Sequence, residues 1–304
     1  MAWRTDPRMT PKQYQKNSLH WLQRYYQKRR RMQQAEDAFP ASMAITSVTA
    51  EIHEGEELPY APVKPGIPYV CFRIPTGGGK TLVACEAVSL GVKDLLQQDR
   101  ALILWLVPSD TIRSQTLSRL EDSADPYRQS LDTNLGNVAV LDIAEAIRMQ
   151  RALLDSHTVI VVATMQAFRR KDISSLKVYG NNGNLMSHFE NLPPELLGVV
   201  EREPEGHFNQ SLVNAFRLRR PFVIIDEAHN ARQPLSFETL RRLNPSAVLE
   251  LTATPNLKPQ KVTDEGETYE NPASNVLHSV SAYALKAEEM IKLPILSALP
   301  GAVG

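Results

Sequence analysis

Residues 75–81, Pro-Thr-Gly-Gly-Gly-Lys-Thr, have the composition of a phosphate-binding loop. Consecutive glycines can adopt backbone angles closed to other residues, and their N–H groups can approach phosphate oxygens without interference from Cβ atoms. Lys80 would bring positive charge to the β and γ phosphates, and the Thr81 hydroxyl would hold Mg²⁺. The alternative is a glycine-rich turn with a chance Gly-Lys-Thr. The predicted nucleotide-binding residues of the loop are Thr76, Gly77, Gly78, Gly79, Lys80 and Thr81.

Two adjacent carboxylates could complete such a site. Asp226 and Glu227 follow the apolar run at 222–225, which predicts a strand. A carboxylate at this place can share Mg²⁺ with Thr81, and its neighbour can orient and deprotonate the attacking water. We therefore assign the metal to Asp226 and the water to Glu227, with Lys80 as the third catalytic residue. Two acids on an ordinary loop after a strand are the alternative.

The elements that must position these groups follow a regular alternation. Continuous apolar runs are typical of strands that are covered on both faces of a parallel sheet. Segments compatible with helices separate several of these runs, so the pattern predicts an α/β fold with a doubly wound, mainly parallel sheet. Ligands of such folds bind beyond the carboxyl ends of the strands, where both motifs fall. The predicted strands are 69–74, 101–107, 138–141, 158–163, 222–225 and 247–251, and the predicted helices include 82–96, 110–120 and 142–154.

The rest of the chain divides around this alternation. Residues 1–68 are predicted to form an N-terminal helix, which starts with Thr10 as its N-cap, and an acidic, proline-rich connector. Residues 69–275 form the predicted nucleotide-binding domain. Within it, residues 171–220 do not follow the alternation of strands and helices and are predicted to be an insertion of helix and loop. Residues 256–275 are predicted to form a polar loop. Residues 276–304 are predicted to lead toward another domain.

Composition sets broad limits on function. The 304 residues carry 34 basic and 34 acidic side chains, so no bulk charge attracts the chain to nucleic acid or membrane. Apolar residues make up 42%, enough for a sizeable core. The two cysteines, Cys71 and Cys85, fit buried apolar positions and offer no metal-binding spacing. Because no signal peptide or membrane-spanning apolar stretch is found, we expect a cytoplasmic protein.

A basic cluster ends the N-terminal helix. Residues 28–31 are Lys-Arg-Arg-Arg, and Tyr25 and Tyr26 precede them. Such a cluster could contact a phosphate backbone. The alternative is a solvated helix end, where cations interact favourably with the helix dipole.

Three motifs together resemble those of superfamily 2 helicases and translocases. Residues 75–81 are similar to motif I, Asp226-Glu-Ala-His229 to a DEAH-box motif II, and residues 251–255, Leu-Thr-Ala-Thr-Pro, to motif III. Ile74 stands where the general phosphate-loop pattern has glycine, and this departure is common in that superfamily. Flanking matches at 106–113, 163–168 and 282–294 make the chain similar to the Res subunit of type III restriction endonucleases over residues 10–296. The resemblance implies a RecA-like P-loop NTPase fold.

The resemblance also implies roles for individual residues. Gln15 would contact the adenine, although it could be a mere helix-face glutamine. His229, Thr252 and Thr254 would couple the nucleotide state to nucleic acid; a zinc site at His229 lacks partners at suitable spacing. Arg113 could instead be a solvated helix cation. The predicted contacts to the sugar-phosphate backbone are Ser109, Thr111, Arg113, Thr164 and Gln166.

The implied activity is that of an ATP-dependent DNA helicase or translocase with ATP and Mg²⁺ as cofactors. In this family a second RecA-like domain supplies the arginine finger, and a methyltransferase (Mod) subunit is a partner. No endonuclease carboxylate-lysine cluster follows residue 296. We therefore expect the 304-residue chain to be a first motor domain that binds ATP with little turnover. An RNA helicase of the DEAH class and a non-catalytic nucleotide-binding module are the alternatives.

Overall fold

The fold is taken from a computed structural model, which describes residues 10–34, 40–52, 60, 63, 66–168, 178–202, 206–227, 235–264, 267–271 and 273–290. The strands are β1 (Tyr69–Arg73), β2 (Leu102–Val107), β3 (Val138–Leu141), β4 (Thr158–Thr164), β5 (Phe222–Asp226), β6 (Ala247–Thr252), β7 (Gln260–Asp264), β8 (Glu267–Asn271) and β9 (Val276–Ser279). The α-helices are α1 (Gln13–Gln34), α2 (Pro40–Ile52), α3 (Lys80–Leu90), α4 (Asp110–Glu121), α5 (Pro126–Leu135), α6 (Ile143–Ala146), α7 (Arg151–Ser156), α8 (Leu212–Arg219), α9 (Leu235–Arg242) and α10 (Ala282–Ala287).

Seven strands form one sheet in the order β3-β4-β2-β5-β6-β1-β9, and every neighbouring pair is parallel. Parallel neighbours require crossover connections, and helices occupy them and cover both faces. This confirms the predicted doubly wound α/β fold. Because all strands run the same way, their carboxyl ends share one edge, and the segments that follow β1, β5 and β6 meet there.

The sheet separates two apolar cores. Alternate residues of β2 show this division: Ile103 and Trp105 pack into the core that includes α1 and α3, whereas Leu104 and Leu106 pack into the core on the other face. All six residues of β2 are buried. Continuous burial of this kind explains why the central strands have apolar rather than alternating sequences.

The N-terminal helix α1 is part of the first core. Leu22, Tyr25 and Tyr26 are buried in the core that also includes residues of β1 and α3. Its start differs from the prediction, because the first helical hydrogen bond runs from Lys16 N to Lys12 O (2.9 Å). Lys12 N in turn donates to the Gln15 side chain (2.8 Å). The helix therefore begins two residues later than a Thr10 cap would place it.

Several other segments differ from the sequence prediction. The predicted helix at 142–154 is divided into α6 and α7, and the capping box of Asp142 and Glu145 starts the first of them. The polar segment at 256–275 contains the antiparallel hairpin of β7 and β8 rather than loop alone. The insertion contains 3-10 turns at Gly183–His188 and Pro194–Gly198, followed by α8. β9 lies on the edge of the main sheet beside β1.

Candidate active site

The predicted phosphate loop joins the carboxyl end of β1 to the start of α3. Gly77 and Gly79 have φ angles of 82° and 67°, in the left-handed region that favours glycine. At Gly78 space is the constraint, since an added Cβ would lie 2.6 Å from Ile74 Cγ2. Gly78 N donates to Pro75 O (3.0 Å), which closes the turn. Backbone angles therefore favour glycine at positions 77 and 79, and close packing favours it at position 78.

The first turn of α3 offers backbone donors at this loop. Its N-cap residue, Gly79, has no side chain to accept their hydrogen bonds. The first N–H groups of a helix lack intrahelical partners, and the helix dipole adds positive potential there. Thr76 is exposed in the turn and Thr81 is half-buried in the first turn of the helix. This arrangement is suited to an anionic ligand.

Lys80 links the loop to the acidic pair. Its Nζ atom lies 2.7 Å from Glu227 Oε1 and donates to Ile74 O at 3.3 Å. The side chain is buried, with 9% of its surface exposed, whereas 23% of the Glu227 side chain is exposed. Two segments almost 150 residues apart in sequence therefore converge at one edge of the sheet, as the motifs predicted.

Asp226, the last residue of β5, is a buried acid beside this ion pair. Its residue surface is 9% exposed, and its Oδ1 atom has no hydrogen-bond partner among the described residues. Burial and the neighbouring Glu227 carboxylate raise the pKa of Asp226 to about 6, against the attraction of Lys80 and the hydrogen bond from Glu227 N–H. A buried carboxylate oxygen without a donor is a suitable ligand for a hard cation.

Glu227 itself has a φ of 50°, which is uncommon for a residue with a side chain. Such left-handed residues cost free energy and persist where the surrounding structure requires them. Here the conformation ends β5 sharply and directs the Glu227 carboxylate to Lys80.

The motif III threonines lie next to the loop. Thr252 ends β6, the strand between β5 and β1, and its carbonyl accepts a hydrogen bond from Ile74 N (2.9 Å). Thr254 is exposed, and its N–H donates to Thr252 Oγ1 (3.2 Å). His229, the third predicted coupling residue, lies outside the described residues. The coupling roles of all three stay predictions.

Helix α1 contacts the loop from the other side. The Tyr14 hydroxyl and Gln15 Nε2 both donate to Gly78 O, at 3.0 and 3.2 Å. Gln15 is buried, with 2% of its surface exposed, and both atoms of its amide bond to main-chain groups. This shows a contact of Gln15 with the loop, and the adenine contact stays a prediction.

Sequence reasoning missed one acid near this junction. Glu288, just after α10, accepts hydrogen bonds from Gln13 N (2.9 Å) and Tyr14 N (3.2 Å) and so caps the start of α1. The same carboxylate, after burial as the larger cause, raises the pKa of Tyr14 to about 12. No local pattern could have revealed this contact, because the two segments lie about 275 residues apart.

The predicted nucleic-acid contacts fall on neighbouring strands. Ser109 and Thr111 lie at the start of α4 after β2, whereas Thr164 ends β4 and Gln166 follows it. β2 pairs with β4, so both groups share the carboxyl edge of the sheet. Thr164 is 9% exposed, and the other three residues are exposed.

Arg113 differs from these residues because its guanidinium already has acidic partners. It lies 3.0 Å from Asp110 Oδ1 and 3.8 Å from Asp142 Oδ2. A contact between Arg113 and a phosphate would therefore require exchange of these ion pairs. Its role, and those of the other four residues, stay predictions.

Three further observations concern the cysteines, metal-binding side chains and helix hydropathy of the described residues. Cys71 and Cys85 are buried, as predicted. No group of three or more His, Cys, Asp or Glu side chains is placed to hold a metal within the part of the chain that the structure describes. Within the same ranges, none of the helices is both long and apolar enough to span a membrane.

The glycine turn, the buried lysine and the acid pair define a P-loop domain of the doubly wound α/β class. The family model of the type III restriction enzyme Res subunit matches residues 8–257, and the chain belongs to that family. This confirms the resemblance that the motifs indicated. No curated protein matches the chain.

Two solved structures are similar to the chain at low identity. The Sulfolobus solfataricus SWI2/SNF2 ATPase core in complex with dsDNA has 14% identity and a TM-score of 0.38 over 84% of this chain. A nuclease-deletion mutant of the Type ISP restriction-modification enzyme LlaGI, in complex with a DNA substrate mimic, has 14% identity and a TM-score of 0.40 over 82% of this chain. The chain spans 34% and 20% of the lengths of these two proteins.

Proposed function

We propose that this chain is the ATP-binding motor domain of a DNA helicase or translocase of the Res-subunit type, which couples ATP hydrolysis to movement on DNA. The observation that carries the proposal is the 2.7 Å contact between Lys80 and Glu227, with the buried Asp226 carboxylate adjacent. Family membership supports the same assignment.

The residues of the site have distinct roles in this proposal. Lys80, Thr76 and the three glycines would hold the phosphates, through one full charge and the main-chain N–H groups. Asp226 and Thr81 would hold Mg²⁺, which when bound neutralises charge on phosphate oxygens. With a pKa of about 6, Asp226 is mostly ionised at neutral pH and able to act as a ligand. Glu227 would orient a water and accept its proton.

The donor set fits this metal. Mg²⁺ in nucleotide sites is held by one or two protein oxygen ligands together with phosphates and waters, rather than by a cage of side chains. One buried carboxylate with an unpartnered oxygen therefore suffices, even though no cluster of three metal-binding side chains is found among the described residues.

DNA is the proposed track, because the chain belongs to a restriction-enzyme family. The proposed contacts to the sugar-phosphate backbone of DNA lie at the same edge of the sheet as the nucleotide loop. Nucleotide binding in this domain could therefore alter its contacts with a bound DNA strand. The proposed partners are a second RecA-like domain and a Mod methyltransferase subunit.

Nucleotide binding tests the proposal directly. A fluorescent ATP analogue titrated into the purified chain with Mg²⁺ should bind, and Lys80→Ala should weaken binding by about tenfold or more because a charge-assisted contact is lost. Lys93→Ala removes the same charge from an exposed position and serves as the matched control. Equal affinity of the Lys80 variant and the control would refute the nucleotide site.

The proposed binding of DNA requires a separate measurement. Binding of duplex DNA by the chain should exceed binding of single-stranded RNA at the same low salt concentration, since salt strongly weakens both. Preference for RNA would favour an RNA helicase. ATP binding without affinity for either nucleic acid would favour a non-catalytic nucleotide-binding module.

A further inference from the structure

A cavity of about 350 Å³ lies far from the nucleotide loop, at the amino ends of the strands. Leu102 begins β2 there, Arg220 lies just before β5, and Ser246 immediately precedes β6. Its volume is at the lower end of the range for small-molecule sites. The polar side chains that line it are Arg29, Gln33, Gln98, Arg219, Arg220 and Ser246.

The lining is strongly cationic. Among the described residues, the lining includes three arginines and neither aspartate nor glutamate. Burial lowers the pKa of Arg29; nearby tyrosines oppose this shift, and the charge of Arg220 adds to it to a smaller extent. For Arg219, burial and the Arg151 charge lower the pKa, and Asp155 alone opposes them. Like charges gathered around a cavity repel one another, so a bound anion would stabilise this arrangement.

Only some of the polar atoms in this lining have hydrogen-bond partners among the described residues. Arg29 donates from Nη1 to Gln33 Oε1 (3.0 Å) and from Nη2 to Gly66 O (3.2 Å), and both acceptors are neutral. Arg29 Nε and Ser246 Oγ are buried without a hydrogen-bond partner among the described residues. Buried polar atoms without partners are rare in folded proteins and call for an explanation.

We propose that this cavity binds a phosphate group, carried by free phosphate, by a phosphorylated small molecule or by the backbone of a nucleic acid strand. The planar fork of a guanidinium matches two phosphate oxygens at once, and three such groups suit a ligand with more than one negative charge. Arg29, from the basic cluster of α1, is the group that reaches the cavity. The proposal does not depend on ATP binding at Lys80.

Calorimetric titration of inorganic phosphate tests this site. It is best performed in the Lys80→Ala chain at constant ionic strength, so that phosphate at the nucleotide loop does not contribute. Arg29→Gln and Arg219→Gln should each weaken phosphate binding by about tenfold or more. Arg31→Gln removes the same charge from an exposed position on the same helix and should change affinity by less than about twofold.

Equal affinity in all three variants, or equal weakening that includes Arg31→Gln, would overturn the proposal. Arg220→Gln provides a second test if a buried variant fails to fold, because Arg220 is exposed and its replacement leaves the core intact. A competition arm identifies the source of the phosphate. Displacement of phosphate by a short duplex without terminal phosphates would assign the site to a nucleic-acid backbone, and retention of phosphate would assign it to a small phosphorylated molecule.

Discussion

Replacement of Asp226 by asparagine should stabilise the folded chain at neutral pH and remove Mg²⁺-dependent nucleotide binding. The carboxylate is buried and repelled by Glu227, so folding disfavours its charged form. Its pKa rises from the ordinary 3.8 to about 6. By proton linkage this difference corresponds to roughly 3 kcal/mol of stability that the ionised acid subtracts at neutral pH.

The direction of the Asp226 pKa shift determines the pH range in which this residue affects stability. An acid with a raised pKa in the folded state binds more protons folded than unfolded between the two pKa values. Its contribution to stability is therefore fully present below about pH 4 and is lost as the pH rises through about 6. Asparagine does not titrate, so the stability difference between the two chains should grow from about 1 kcal/mol near pH 4.5 to about 3 kcal/mol near pH 7.5.

Thermal unfolding of both chains at these two pH values measures the effect. For a chain of 304 residues, 3 kcal/mol shifts the midpoint by roughly 5 °C. Asp99→Asn makes the same chemical change at an exposed position and should leave the midpoint nearly unchanged. Addition of Mg²⁺ and ATP should then raise the midpoint of the native chain, because a ligand that binds only the folded state stabilises it, but not that of the Asp226 variant.

The reasoning fails if Asp226→Asn lowers the midpoint near pH 7.5, or if the difference between the two chains does not depend on pH. Either result would mean that Asp226 is satisfied in the folded chain. Its assignment as a metal ligand would then lose its physical basis.

Three other perturbations address separate parts of the site. Glu227→Gln should retain ATP binding but slow single-turnover hydrolysis by about 10²-fold or more, because the proton acceptor is lost. Gly79→Ala should destabilise the chain by about 1–2 kcal/mol in urea unfolding, since its φ is 67° and the new Cβ would lie 2.5 Å from Gln15 Nε2; Gly198→Ala, with open space around it, is the control. Removal of residues 1–68 should leave a chain without cooperative unfolding, because the buried side chains of α1 contribute roughly as much as the whole stability of a typical domain.

The central strands could be predicted from sequence to within about a residue because burial on both faces leaves a continuous apolar run. Leu102–Val107 starts one residue later than predicted, and Ala247–Thr252 extends one residue beyond the prediction. β9 was missed because an edge strand needs no such run. Its four residues pair with β1 at the edge of the sheet, and of the four only Leu277 is buried. The β7–β8 hairpin was missed because its sequence is polar.

The nucleotide loop was predictable for a different reason. Its glycines are required by the local conformation of the loop, and local conformation depends on residues that are consecutive in sequence. The contacts that hold the loop in place are not local. The hydrogen bonds of Tyr14 and Gln15 to Gly78 O cross more than 60 residues of sequence, and the Glu288 cap crosses about 275. Only the assembled sheet brings these groups together.

Helix α1 precedes the predicted nucleotide-binding domain at 69–275, yet it has contacts near both edges of the sheet. Tyr14 and Gln15, near its start, bond to the nucleotide loop, whereas Arg29 lines the cationic cavity at the amino edge. At 1.5 Å per residue, the 15 residues between Tyr14 and Arg29 span roughly 20 Å. Because the side of α1 between these ends is buried in the core, the helix cannot shift at one end without disturbing its packing along the whole sheet. Helix α1, which the sequence prediction separated from the nucleotide-binding domain, therefore packs in the same core as the sheet that carries the nucleotide loop.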